Sequence, residues 1–492
     1  MPLIDLPLSH WITNPWLLGA FFAVDLLLRA GFACVIILRK GSQPSLAAAW
    51  VTIVTVLPII GIPAYLLVGE SRLGYRRRAI HKSVLELFNK PHFHQHDDAR
   101  AHQAHLNGID RQLARIAESV SGSAPLAGNS VKLFGDSNQA VAAIIADIDR
   151  ATATVHITSY IWLDDRVGGA VADALAAATA RGVTCRVLVD AQGSSRFLRS
   201  ASVRQLRERG VKVVAALAVH PLRTLFSRID IRNHRKMIII DSTIGWIGSM
   251  NIAAPEFAVQ PRFAPWVDCT LRLLGPTVRE LHLIFAEDWY LDTNENIEDQ
   301  LRASPPFQSG GVTAQIAASG PNYRNDAIKS LLLAAIQVSQ DEIVLTTPYF
   351  VPDPTMHSAL CVAARRGVTV RLVVPRRNNS RLVALASRAG YGILLDSGVH
   401  IHEFTRGLLH AKTISADGKF AIITSSNLDR RSFDLNFEAT ALVYDDGFAA
   451  ELRTLQQSYI DASVEITAQE WSKQSKARTL AQNAAALISP LL

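Results

Sequence analysis

Two long apolar stretches open the pattern of hydrophobic and polar positions, Trp16 to Leu38 and Leu46 to Val68, 23 residues each. A helix of that length reaches ~34 Å, enough for a hydrocarbon layer of ~30 Å. Residues 1–70 are therefore expected to form a transmembrane hairpin, spans 16–38 and 46–68, with Pro58 and Pro63 kinking the second. Asp25 and Arg29 stand four residues apart inside the first span, where they share a helix face and neutralise each other. Arg72, Arg76, Arg77 and Arg78 crowd the exit of the second span, against Arg39 and Lys40 in the turn between spans. That asymmetry puts the bulk of the chain on the cytoplasmic side, and the same arginines could hold anionic headgroups. The pattern then turns polar over a basic linker, 71–124, which carries His92, His94, His96, His102 and His105. Alternating histidines can chelate a metal, but no carboxylate or cysteine completes a recognisable spacing, and a solvated linker is the simpler reading.

Beyond residue 125 short β-branched runs alternate with Ala-rich helical periodicity, and the order is written twice. VHITSYIWLDD around Tyr160 matches IVLTTPYFVPD around Tyr349. Each is followed by a helical pattern ending at a glycine and then a strand, RGVTCRVLVD from Arg181 and RGVTVRLVVP from Arg366. A second passage from helix to strand follows, at Gly210 and at Gly398. Alternating strands and helices predict an α/β fold of two homologous half-domains, 125–297 and 310–480, with mostly parallel sheets, and a tail over 481–492.

Composition adds two constraints. A charged share of 19% with 49% apolar residues fits a chain partly solvated by lipid, and a formal charge of +7 favours an anionic partner, phospholipid headgroup or nucleic acid. The four cysteines, Cys34, Cys185, Cys269 and Cys361, stand singly without C-x-x-C spacing, which suggests neither a disulfide framework nor a zinc site.

The candidate chemistry is a repeated motif. His234, Lys236, Asp241, Gly248, Ser249 and Asn251 fit H-x-K-x4-D-x6-G-S-x-N, and His410, Lys412, Asp417, Thr424, Ser425 and Asn427 nearly repeat it. On a strand, residues i and i+2 share a face, so each His and Lys would project into one cleft and touch one phosphate. Attack on a phosphodiester needs a nucleophile, a proton for the departing alkoxide and cations for the equatorial oxygens. One neutral imidazole can attack while the other, protonated, serves as acid and later as base. Lys236 and Lys412 supply a positive clamp, and Ser249, Asn251, Ser425 and Asn427 supply neutral donors to the phosphate. Each imidazole needs a partner on its far nitrogen to fix the tautomer. Asp268 and Glu438, similarly placed downstream of the two histidines, are the candidates. The scheme requires no metal or other cofactor.

On these residues the sequence resembles bacterial cardiolipin synthases of the phospholipase D superfamily. The likeness rests on GIPAYLLVGESRLGYRRR after the paired spans, HRKMIIID, IGSMN, TPYFVPD, SNLDRRSFDLNFE and the terminal SPLL. The resemblance implies a multi-pass protein of the bacterial inner membrane, its catalytic part cytoplasmic. It implies that two phosphatidylglycerol molecules become cardiolipin and glycerol through a phosphatidyl-histidine, with the first motif, His234, as nucleophile. Thr424 departs from the glycine usual in the family, and strain at a positive φ is expected there. A phospholipase D, a phosphatidylserine synthase or a nuclease would use the same histidines with another acceptor. Nucleic acid is not the expected partner, since the apolar hairpin and the lack of a basic groove with interleaved aromatics argue against it. A lipid-binding scaffold without activity is the reading from a different class, and two intact motifs argue against it.

Overall fold

The structure, a computed structural model, describes residues 15–39, 44–69, 103–218, 228, 230–257, 259–302, 307–321, 323 and 326–488. Lys40, Arg72, Arg76, Arg77, Arg78, the linker histidines His92, His94, His96 and His102, and the terminal SPLL lie outside them. Of the linker histidines His105 is described, and it is exposed. The chain divides into two units, residues 1–74 with 220–230, and residues 75–219 with 231–492.

In the first unit the helix Pro15–Ile37 is long and apolar enough to cross a membrane. The expected second span is broken. A helix Pro44–Val56 stops at Leu57, a second runs Pro58–Ala64, and a π turn follows over Tyr65–Gly69. Proline lacks the N–H that would bond back one turn and forces the preceding residue out of the helical region, and Leu57 sits at φ −128°, ψ 63°. Ile36 packs with Trp50, Val54 and Tyr65 to form this unit's core. Asp25 and Arg29 pair as expected, at 2.7 Å, and the guanidinium also donates to the Thr55 carbonyl.

In the second unit the strands are β1 (Leu126–Phe134), β2 (Thr154–Ser159), β3 (Thr184–Asp190), β4 (Lys212–Ala216), β5 (Met237–Ile240), β6 (Ile244–Gly248), β7 (Trp266–Val267), β8 (Thr270–Leu274), β9 (Val312–Ser319), β10 (Glu342–Thr346), β11 (Phe350–Val351), β12 (Thr369–Pro375), β13 (His400–Phe404), β14 (Leu408–Leu409), β15 (Thr413–Ala416), β16 (Phe420–Thr424), β17 (Leu428–Asp429), β18 (Glu438–Tyr444) and β19 (Ser463–Ile466). Fifteen form one sheet in the order β19-β13-β12-β10-β15-β16-β18-β9-β1-β8-β6-β5-β2-β3-β4. Read outward from the β9–β1 junction, β18, β16, β15, β10, β12 and β13 mirror β8, β6, β5, β2, β3 and β4, so the duplication in the sequence is a duplication in space.

The sheet corrects the expectation of mostly parallel strands. Four of its fourteen neighbouring pairs are parallel, β2–β3, β3–β4, β10–β12 and β12–β13, and ten are antiparallel. Crossover helices such as Arg166–Ala180 and Pro354–Arg365, each capped by an aspartate, build the parallel part. The motif strands β5–β6 and β15–β16 are hairpins instead, closed by left-handed residues, Asp241 and Ser242 in one and Asp417 and Gly418 in the other.

A continuous apolar cluster runs across the junction, with Leu271, Leu273 and Phe285 from the first half and Ile316, Ile423 and Ala441 from the second. Asn129 pins the seam, donating to the Leu126 and Val312 carbonyls and accepting from the Thr277 N–H. Cys185, Cys269 and Cys361 are buried free thiols, and Cys34 is exposed.

Candidate active site

Each motif segment pairs with a segment of the opposite half. The His234 N–H donates to the Phe437 carbonyl at 2.9 Å, and the Phe437 N–H donates to the Arg232 carbonyl at 2.9 Å. Glu438, one residue on, is thereby delivered to His234, whose Nδ1 lies 2.9 Å from both carboxylate oxygens. The same construction recurs on the other side. Strand β14 lies parallel to β7, and the His410 N–H donates to the Val267 carbonyl at 2.7 Å. Asp268 follows Val267 and receives His410 Nδ1 at 2.6 Å. Both sequence-predicted carboxylates thus bond to motif histidines, and they do so crosswise.

A carboxylate on Nδ1 fixes the proton there and leaves Nε2 with its lone pair. Burial pulls both imidazoles down to about 4, against the opposing pull of the carboxylates, so both are neutral in the resting site. Asp268 and Glu438 are buried too, but the facing histidines and lysines hold both carboxyls below the usual range. Lys236 and Lys412 donate back to the carbonyls of their own motif histidines, at 2.7 and 2.8 Å. Burial lowers Lys236 to about 7 and Lys412 to about 8. The charge of Lys412 is felt by His234 and that of Lys236 by His410, so the four groups share one electrostatic site.

Three expectations change at the level of individual residues. Asp241 and Asp417 stand apart from the two His and Lys pairs, at the far ends of β5 and β15. The Asp241 carboxylate accepts from the N–H groups of Thr152, Ala153 and Thr154 and from the Thr152 hydroxyl, all within 2.9 Å. Asp417 accepts likewise from Gln340, Asp341 and Glu342. They are clamps that tie each hairpin turn to the start of β2 or β10. The hydroxyls of Ser249 and Ser425, expected to face the phosphate, are instead committed to the orienting carboxylates, donating to Asp268 at 2.6 Å and to Glu438 at 2.5 Å. Asn251 and Asn427 are buried beside them, and the Asn251 carboxamide oxygen accepts from the Ile161 N–H. Thr424 carries no positive φ, nor does Gly248. At Gly248 a Cβ would stand 2.4 Å from the Cys269 carbonyl, whereas the Thr424 hydroxyl finds Thr440 at 2.7 Å.

Sequence reasoning missed two aromatic walls and a buried ion pair. The Tyr160 ring meets His234 edge-on at 4.8 Å with Lys236 Nζ 5.3 Å from its centroid, and Trp266, stacked on Phe257, lies 4.7 Å from the His410 ring. Arg235, fully buried, pairs with Asp288 at 2.6 Å and donates to the carbonyls of Glu438 and Ser319 in the other half. Its place inside the motif, between His234 and Lys236, was the available signal. Two neutral imidazoles bonded to carboxylates, with two buried lysines in the same electrostatic site, can hold a phosphodiester, attack it and move a proton on and off its alcohol.

Residues 144–263 and 332–459, together half of the chain, match the family described as "Cardiolipin synthase, PLD-like domain", and residues 30–70 match "Phospholipase_D-nuclease N-terminal". Cardiolipin synthase A of Salmonella arizonae and that of Salmonella paratyphi B are each 37% identical over 474 residues, covering 95% of this chain and 96% of theirs. The crystal structure of phosphatidylserine synthase from Haemophilus influenzae shares the fold, with a TM-score of 0.59 at 14% identity over 78% of this chain and all of that one. By the family match and by identity over nearly its whole length, the chain belongs to the cardiolipin synthase family of PLD-like proteins.

Proposed function

We propose that the protein is a cardiolipin synthase, a phosphatidyltransferase that joins two phosphatidylglycerol molecules and releases glycerol. The observation that carries this reading is the crossed pair of imidazole–carboxylate couples, His234 with Glu438 and His410 with Asp268, around two buried lysines. His234 Nε2 attacks the phosphorus of the first lipid, and the glycerol oxygen leaves with a proton from His410. A hydroxyl of the second lipid then gives its proton to His410 as its oxygen displaces His234. The resting His410 is neutral, and the negative charge of the incoming phosphodiester raises its affinity for a proton, which it takes up from water as the lipid binds. Ser249 and Ser425 hold the orienting carboxylates, and Lys236 and Lys412 neutralise the equatorial oxygens.

The helix Pro15–Ile37 anchors this chemistry at a lipid surface, and in the same reading the kinked segment 46–68 returns through the bilayer. The catalytic unit then lies on the cytoplasmic face of the bacterial inner membrane. Purified full-length protein supplied with phosphatidylglycerol vesicles in water, with and without ethanolamine, should yield cardiolipin and glycerol in equal amounts. Phosphatidic acid or phosphatidylethanolamine as the main product would overturn the assignment of the acceptor.

A further inference from the structure

A polar cavity of about 380 Å³ is lined by Arg262, Phe263, Arg376, Arg377, Thr405 and Gly407. It opens at the carboxyl ends of the parallel strands β12 and β13, the place where open α/β sheets receive ligands. Its backbone is held firmly. The Arg376 N–H donates to the Phe404 carbonyl, and the Arg376 carbonyl accepts from Arg388, itself paired with Glu403 at 2.6 Å. The three lining arginines are exposed, and none pairs with a carboxylate among the described residues. In the first half the corresponding strand end, after VLVD, carries Ala191 and Gln192 where the second carries Arg376 and Arg377.

The cavity adjoins His410. Gly407 lies three residues before His410, a reach of at most about 10 Å. Ala264, also on the cavity wall, lies two residues before Trp266, whose ring rests against His410. In the functional reading above, His410 receives the incoming alcohol. That alcohol belongs to a second phosphatidylglycerol, which carries its own phosphodiester anion. Cardiolipin joins its two phosphates through three carbons and two ester oxygens, a separation on the order of 7 Å at ordinary bond lengths. The acceptor's negative charge must therefore be brought close to a reaction centre that is already anionic, and the exposed arginines of the cavity supply cations for it.

We propose that the cavity lined by Arg262, Arg376 and Arg377 holds the phosphodiester of the acceptor lipid, and so directs transfer to phosphatidylglycerol rather than to an uncharged alcohol. The proposal rests on the cardiolipin synthase reading. Full-length protein in phosphatidylglycerol micelles with labelled glycerol reports both outcomes at once, because label enters phosphatidylglycerol by exchange and cardiolipin forms by transfer. In R376Q/R377Q the ratio of cardiolipin to exchange product should fall about 10–100-fold, as expected when hydrogen bonds to a charged group are lost. R376K/R377K, which keeps the charge, should recover part of the ratio. A ratio unchanged in R376Q/R377Q, including equal loss of both products, overturns the cavity's role and leaves the function standing. A wild-type protein that exchanges glycerol and makes no cardiolipin overturns the functional reading itself. Inorganic phosphate titrated into the same assay separates a free anion from a lipid headgroup. A change in both products that depends on Arg376 and Arg377 would mark an effector site for free phosphate and overturn the acceptor assignment, whereas no such change supports it.

Discussion

Four buried groups, two histidines and two lysines, change the charge of the site with pH, and their protonation predicts how activity follows it. His234 and His410 take up a proton only near pH 4, and Lys236 and Lys412 give theirs up near 7 and 8. Above pH 7 the phosphate clamp loses positive charge, first at Lys236, so affinity for the substrate phosphate, read as 1/KM, should fall on the alkaline side through an apparent value of 7 to 8. Below about 4 the nucleophile is protonated and the rate falls. Lys236→Arg retains its charge throughout this range. The alkaline limb should move up toward the value of Lys412 in that variant, whatever happens to the absolute rate. A limb that stays in place would assign the titration to another group.

The crossed couples predict a crossed mutant pattern. Glu438 lies in the second half yet holds the histidine of the first, so Glu438→Gln should resemble His234→Ala, with little phosphatidyl adduct. Asp268→Asn should resemble His410→Ala, in which attack survives while acid and base help is lost, at about 10²–10⁴ in rate. An adduct trapped from a substrate with a good leaving group and mapped by mass spectrometry decides the matter. If Glu438→Gln accumulates adduct and Asp268→Asn does not, either the couples or the order of the histidines is reversed, and the two single histidine variants tell which.

At the scale of elements, the motif hairpins divide structural from chemical residues within a single motif. The Asp241 carboxyl is pushed up by burial, but the N–H groups of Thr154, Thr152 and Ala153 outweigh that and hold it below its ordinary value. Asp241→Ala frees these donors at a half-buried site and should cost about 2 kcal/mol of stability. The folded fraction should retain kcat within severalfold, and thermal unfolding beside a turnover assay at low temperature separates the two effects. A loss of turnover as large as that of His234→Ala would return Asp241 to the chemistry.

The same hairpins explain what was legible in the sequence. The duplication, the two His and Lys pairs and both orienting carboxylates follow from spacing and residue type. The antiparallel majority does not, because helix–strand alternation signals crossovers while β5–β6 and β15–β16 are short runs of near-uniform burial. Asp417–Gly418 at a left-handed turn was the local sign of a hairpin. The exchange of carboxylates between halves was beyond any spacing argument, since Asp268 and Glu438 stand at similar offsets from either histidine's own motif. The break at Leu57 was visible as Pro58, but its extent depends on how the helix restarts.

For the whole molecule, Arg235 joins the halves at their most buried point. Its guanidinium is sequestered from water and paired with Asp288, and its remaining donors reach two carbonyls of the second half, one of them that of Glu438. The second motif has Ala411 at the corresponding place, so the device exists once. Removing one partner of a buried pair strands the other charge, which costs about 3–5 kcal/mol, whereas removing both charges is often close to neutral. Arg235→Met should therefore lower stability by about 3–5 kcal/mol and reduce turnover, because the Glu438 backbone loses its tether. Asn233 donates to Asp288 at 2.9 Å and could still donate to an amide there. Arg235→Met with Asp288→Asn should then recover most of the lost stability. It should recover less of the turnover, since the bond to Glu438 stays absent. A double variant no more stable than Arg235→Met, measured by denaturant unfolding, would show that the guanidinium acts through its carbonyl bonds rather than through its charge.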